Sequence, residues 1–278
     1  MKSILFLFLI SLSFSTSAQY YYKDIIGTRE TSEIMKTYVK NGVNRVLLTS
    51  YDADNTKSDN FFVMQEFIPS LKTLKTTTKT GEAEPSVLLS WIDANGNVIK
   101  TLDSSSSYVS ATTYNYNNAG QLISLLSTSY DSARKNQQSE EHIWYYEGNR
   151  ISKMVRIKNK IDSTAVHFKF DEQGNVIEEQ ETRKGVQNTP VYYYYDKNNR
   201  LTDIVRYSPK AKRLLPEYMF EYSPVNQVIQ KITVPANSDK YLIWRYQYNA
   251  QGLKIKEVIY DKNKDLSGKV EYQYSFAN

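Results

Sequence analysis

The chain has 278 residues, a net charge of +5 and no cysteine. The missing cysteine excludes disulfides, thiolate catalysis and a lipid on a cleavage-site Cys, and the mild charge excludes bulk nucleic-acid binding. Tyrosine is the outlier, with 24 Tyr against 10 Phe and 3 Trp. A phenol packs its ring and keeps its hydroxyl wet, so this composition predicts sheets with half-wet faces.

The elements follow in chain order. Lys2, the apolar run Ile4–Ile10 and the small residues up to Ser17-Ala18 make a signal peptide over residues 1–18, with the mature chain starting at Gln19. The run is too short to cross roughly 30 Å of hydrocarbon, so no integral membrane segment is expected in the mature chain. Tyr20–Arg29 reads as an extended leader. Thr31–Asn41 reads as a short helix, with Ile34, Met35, Tyr38 and Val39 on one side and Gly42 after it. Val43–Tyr51 and Asn60–Phe67 read as strands around Asp52-Ala53-Asp54-Asn55, either worn repeats or a cap. Residues 19–86 are therefore an irregular N-terminal leader and cap, continuous with a repeat region over 87–278.

In that region an aromatic or apolar residue precedes a four-residue turn, a polar residue and an aliphatic. The copies run Ile92–Val98, Tyr116–Leu122, Phe170–Val176, Tyr195–Leu201 and Tyr222–Val228; Tyr248–Gly252 follows with its aliphatic shifted, and Tyr146–Ile151 is a shorter copy. Each full turn opens on Asp, Asn or Ser, whose side chain accepts a backbone N–H two residues on. Each closes on a residue that tolerates positive φ, namely Gly96, Gly120, Gly174, Asn199, Asn226 or Gly252. A type I turn closed in this way joins two antiparallel strands.

The flanking alternation agrees. Val166/Phe168/Phe170, Val191/Tyr193/Tyr195, Tyr218/Phe220/Tyr222, Leu242/Trp244/Tyr246/Tyr248 and Val270/Tyr272/Tyr274/Phe276 each step by two along one face. The other face carries His167/Lys169, Glu221 and Arg245/Gln247. The fold class is therefore all-β: an antiparallel meander of tandem hairpins in an extended twisted sheet, tight turns on one edge and variable links on the other.

The unit Tyr193-Tyr194-Tyr195-Asp196-Lys197-Asn198-Asn199-Arg200-Leu201 resembles the YD/RHS repeat, and Phe168–Val176 is similar. The resemblance covers roughly residues 87 to 276. It implies continuous hairpin sheets, which in long members spiral into shells around a toxin domain. The copies here are too few to close a shell, and no distinct domain follows residue 276, so neither a closed shell nor a toxin-delivery role is expected.

Chemistry is sparse. His142 and His167 sit at strand positions, and no Gly-x-Ser-x-Gly elbow accompanies them. Glu140-Glu141 and Glu178-Glu179 are adjacent, so each pair points to opposite faces and reads as solvated charge rather than a glycosidase pair. Asp52-Ala53-Asp54 lacks the glycine and final acid of a calcium loop, with Lys57 and Val63 in their places. Catalytic residues, metal and cofactor are accordingly expected to be absent. The links carry Arg134-Lys135, Lys158/Lys160, Arg183-Lys184, Lys210/Lys212-Arg213 and Lys262/Lys264. These would line one edge as a basic rim, either for solubility and edge protection or for an anionic glycan. Any contact is expected on that edge and not on the tight-turn edge.

The leading reading is a non-catalytic exported protein, periplasmic, surface-bound or secreted, that binds or scaffolds a glycan or another envelope protein. The alternatives are a glycan-active enzyme, which needs opposed carboxylates in a cleft, and an outer-membrane β-barrel. A barrel's outward band should be aliphatic between aromatic girdles, whereas Tyr runs through these strand centres.

Overall fold

The structure, a computed structural model, describes residues 20–59, 61–131, 137–235 and 240–277. Helix α1 (Lys23–Lys40) leads into β1 (Val43–Asp52), β2 (Phe61–Ile68), a single 3-10 turn at Pro69–Leu71, and β3 (Thr73–Thr80). Then come β4 (Ser86–Ile92), β5 (Val98–Ser104), β6 (Tyr108–Tyr116), β7 (Leu122–Asp131), β8 (Gln137–Glu147), β9 (Arg150–Lys158), β10 (Asp162–Phe170) and β11 (Val176–Arg183). The chain continues through β12 (Val186–Gln187), β13 (Val191–Tyr195), β14 (Leu201–Ser208), β15 (Arg213–Tyr222), β16 (Val228–Thr233), β17 (Leu242–Tyr248), β18 (Lys254–Tyr260) and β19 (Leu266–Phe276).

Consecutive strands pair antiparallel, the short β12 extending only the end of β11, which then pairs with β13. The last strand returns to the first: β19 pairs with β1 from Val43↔Phe276 to Asp52↔Gly268. The sheet is therefore a closed 18-stranded antiparallel barrel. This corrects the expected extended sheet and its irregular cap. The repeats alone would have left two open edges, with unpaired N–H and C=O groups. β1, β2 and β3 are full strands built from the supposed cap, and they complete the ring and remove both edges.

The turns give the local reason for the hairpins. In Asp93–Asn97 the Gly96 amide donates to the Asp93 carbonyl at 3.2 Å, and the Asp93 carboxylate accepts from the Asn95 and Asn97 amides at 2.8 Å each. The closing residue is left-handed in each copy, as at Gly174 (φ +87°) and Asn199 (φ +58°). Each such hairpin carries a register shift just before its turn, as at Tyr194/Tyr195. The same turn recurs on the opposite edge at Asp52–Thr56 and Asp261–Asp265, so two links are tight turns and the β1–β2 connection is a worn copy.

Tyrosine has a further role at the residue before the turn and, in β19, at Tyr274. The hydroxyls of Tyr116, Tyr146, Tyr195, Tyr222, Tyr248 and Tyr274 donate to the carbonyls of Val98, Leu122, Val176, Leu201, Val228 and Lys254, at 2.7–3.0 Å. Each acceptor opens the second strand of the preceding hairpin. From Tyr116 to Tyr274 the phenols thus form a ladder along the inner wall, broken within that run at Phe170, which has no hydroxyl.

α1 lies inside the ring. Its leading residues Tyr20, Tyr21, Tyr22 and Ile25 pack with Trp144, Val166, Tyr193 and Ile204, while Met35 and Tyr38 pack with Val46, Val63, Val98 and Val270. Burying such side chains contributes about 1.5–3 kcal/mol each before entropy is charged. The expected leader at Tyr20–Arg29 is thus mostly the first half of this helix. Inside it the hydroxyls of Thr28, Thr31 and Ser32 turn back to the carbonyls of Asp24, Gly27 and Thr28. This is the local bonding that makes the stretch look non-helical in sequence. The helix ends at Asn41 and Gly42 (φ +65°) on the tight-turn edge, where the Ala277 amide donates to the Gly42 carbonyl at 2.8 Å.

Candidate functional site

The most concentrated chemistry is a buried charge network that fastens α1 to the inner wall. Asp24, in the first turn of α1, meets His142 of β8: Nδ1 lies 2.6 Å from Asp24 Oδ2. The other ring nitrogen, Nε2, lies 3.0 Å from Glu140 Oε1, and Arg156 Nε of β9 donates to Glu140 Oε2 at 3.0 Å. Asp24, Glu140 and His142 are all buried, and Tyr21 packs edge-on against the imidazole at 5.3 Å. Burial opposes a charged imidazole, yet the two carboxylates outweigh it and push His142 up to about 9. Burial likewise opposes the Glu140 carboxylate, and His142 and Arg156 overcome it, holding Glu140 down at about 2. His142, Glu140 and Arg156 are therefore all charged at neutral pH.

Glu179 of β11 completes the anchorage. Its carboxylate accepts the Tyr21 amide at 2.7 Å, the Tyr22 amide at 2.8 Å and the Tyr193 hydroxyl at 2.8 Å. The residue at the helix N-cap, Tyr22, supplies no side-chain cap. A carboxylate from the wall takes that role, satisfying open N–H groups at the positive end of the helix dipole. Burial raises the Glu179 carboxyl despite its three donors. Farther along α1, Ser32 Oγ accepts the Val98 amide at 3.1 Å, tying the helix to β5.

This arrangement corrects the sequence reading of the adjacent acids. Alternation does send Glu141 and Glu178 outward, but Glu140 and Glu179 face inward and are buried. His142 is a buried ion-pair partner, whereas His167 is an exposed strand residue. The period of two indicated that one acid of each pair points inward. It gave no sign that a helix some 118 residues away brings Asp24 to His142.

A His flanked by two acids resembles a catalytic relay, but both ring nitrogens are committed to carboxylates, and among the described residues no hydroxyl is hydrogen-bonded to the ring. The geometry holds charge in place and leaves no lone pair for proton abstraction. Among the described residues no group of three or more His, Cys, Asp or Glu side chains could hold a metal ion.

Above the network, at the tight-turn mouth, a cleft of about 330 Å³ separates α1 from the turns. Thr28, Arg29, Ser32, Glu33 and Lys36 line it from the helix, and Tyr116, Tyr146, Asn149, Arg150 and Phe170 from the wall. Lys36 is salt-bridged to Glu33 at 3.0 Å and lies against Gly96, where a Cβ would stand 2.7 Å from Lys36 Cγ. Gly96 is thus needed for close approach as well as for its turn.

The expected basic rim falls on the opposite edge. Lys160, Lys184, Lys210, Lys212 and Arg213 are exposed there, and Lys158 is half-buried. Arg183 is bound to Asp162 at 2.6 Å. Lys160, Lys184 and Lys212 occupy left-handed turn positions. Arg134 and Lys135 lie outside the described residues. The cleft between α1 and the tight turns lies at the other mouth and includes none of these rim side chains.

No family model matches the chain, and no curated protein matches it. Among solved structures it is similar to a Tc holotoxin pore from Photorhabdus luminescens, at 12% identity and a TM-score of 0.35 over 78% of this chain. It spans only 12% of that toxin chain. It is also similar to a porin-like protein from Bacteroides uniformis, at 10% identity and a TM-score of 0.38, covering 84% of this chain and 98% of that one. A putative exported protein with a YmcC-like fold from Bacteroides fragilis gives 8% identity and a TM-score of 0.20, over 84% of this chain and 97% of that one. These likenesses go no further than a β-rich fold. No described helix is long and apolar enough to cross a membrane, which leaves spanning by strands untouched.

Proposed function

We propose that this chain is a non-catalytic, exported β-barrel of the cell envelope, built from YD/RHS-like hairpins and plugged by its own N-terminal helix. Its wall stands in water. The observation that carries this is the sidedness of the wall. Trp144, Val166, Tyr193 and Ile204 pack toward α1. The outer face carries charge pairs such as Lys169–Glu178 at 2.7 Å, Arg45–Glu66 at 3.4 Å and Lys269–Glu271 at 3.4 Å. A lipid-facing charge at mid-membrane costs about 2–4 kcal/mol for Arg or Lys, and these strands carry many.

Closure of the ring favours a second reading, an outer-membrane barrel, and counts against an open scaffold. An even number of antiparallel strands joined in sequence order is the architecture such a barrel requires. Fractionation of the producing cell separates the two. Release by osmotic shock without detergent supports the aqueous barrel; recovery only with detergent, in a heat-modifiable form, replaces it with the membrane barrel.

A further inference from the structure

We propose that the cleft at the tight-turn mouth is a binding site for an acidic saccharide, a sugar ring carrying a carboxylate. The inference rests on the plugged-barrel reading, because α1 forms one wall of the site. Its volume of about 330 Å³ falls at the small end of ligand pockets and suits one or two rings.

Three features set the chemistry. First, Arg29 on α1 and Arg150 at the start of β9 both line the cleft, and among the described residues neither guanidinium has a hydrogen-bond or ion-pair partner. Arg45, Arg156, Arg183 and Arg206 on the strands are, by contrast, ion-paired. Two open guanidinium forks from opposite walls match a carboxylate, which each can grip with paired N–H donors. Arg150 also lies over the Asp171–Gly174 turn, with its Nε 3.6 Å from where a Gly174 Cβ would stand.

Second, Tyr116 and Tyr146 line the cleft, but their hydroxyls are spent on the Val98 and Leu122 carbonyls. What they offer a ligand is ring carbon. Phe170, where the run of phenols from Tyr116 to Tyr274 is broken, also lies in this cleft and adds a ring with no hydroxyl. Aromatic faces beside hydrogen-bonding groups suit the apolar faces of a pyranose.

Third, Asn149 lines the cleft, and among the described residues its amide has no partner, leaving a donor and an acceptor for hydroxyls. The only acid lining the cleft, Glu33, is held by Lys36, so the site is net positive. The ladder interruption, the two free arginines and the opening between helix and turns coincide here and nowhere else among the described residues.

The test is titration calorimetry of the mature protein at low salt with digalacturonate, and with its methyl ester as the uncharged control. Binding of digalacturonate, weakening with salt, and absence of ester binding are expected. Arg29→Gln and Arg150→Gln should each weaken binding roughly tenfold, while the Lys210/Lys212/Arg213→Ser triple variant on the far edge should leave it unchanged. Should either arginine variant fail to fold, the guanidinium Nε–H signals of Arg29 and Arg150 in the wild-type protein should move on addition of digalacturonate. No binding, equal binding of the ester, arginine variants that bind like wild type, unmoved signals, or loss confined to the triple variant overturns the proposal. The plug is read out separately by protection of the α1 amides from exchange in free protein, so an absent plug and an absent ligand give different results.

Discussion

The phenol hydroxyl makes its contribution outside its own hairpin. Tyr146 and Tyr248 donate to Leu122 and Val228, more than twenty and exactly twenty residues before them respectively in the neighbouring hairpin. Tyr248→Phe should therefore lower stability by about 0.5–1.5 kcal/mol, the net value of a typical hydrogen bond. Phe170→Tyr, at the ladder's interruption, should not lower it. Urea titrations of both variants measure this, and equal losses would mean that the ladder bonds carry no weight. The glycines differ in the same local way. Gly174 sits at φ +87°, so valine there should cost roughly 1–2 kcal/mol or more. Gly27 lies inside α1, with open space around its missing Cβ. Gly27→Val should leave the melting temperature nearly unchanged, since valine is a somewhat better helix former than glycine. The turn chemistry was legible in the sequence because its partners lie within five residues. The ladder was not, because each hydroxyl's acceptor belongs to a different hairpin.

At the scale of the element, α1 is held as a plug by charge as much as by packing. The folded His142 value, raised to about 9 from 6.5, gives stability that is complete below pH 6.5 and lost as pH rises through about 9. The loss amounts to roughly 3 kcal/mol. Glu140, lowered to about 2 from 4.5, adds stability that is complete above pH 4.5 and lost as pH falls through about 2. Melting temperatures across pH 6 to 10 should fall for the wild type. His142→Gln should be less stable at pH 6, because Asp24 loses its cation and Glu140 keeps only Arg156, and should show a flatter profile over the same range. Parallel profiles would remove His142 from the latch. A helix here was legible from Met35 and Tyr38, but its first half was hidden by Thr28, Thr31 and Ser32. The anchor was hidden because Asp24 and His142 meet only once the chain has closed on itself.

For the whole molecule, the decisive pairing is the seam between β1 and β19. Deleting residues 266–278 should not leave a smaller stable sheet. It exposes the edges of β1 and β18 at once and removes Val270, Tyr272 and Tyr274, which pack in the core beside α1. Loss of a cooperative melt and self-association by size-exclusion chromatography are expected; a monomer with native-like circular dichroism would show that the ring is dispensable. The repeat region displayed its hairpins in sequence because each carries its own turn. Closure depended on β1 and β2, whose connection Asp52–Thr56 uses the same turn without the flanking regularity.

The seam also orders events in time. Its two strands are separated by nearly the full described length, so this contact has the highest loop-closure cost in the molecule and should form late. α1 sits inside, and it has to be seated against Glu179 and His142 before the seam shuts. Refolding should accordingly show burial around Trp144 preceding protection of the β1 and β19 amides. Until the final strand has been delivered, the chain has two unsatisfied edges, so a chaperone that shields extended segments should act on it up to the moment of closure and not after.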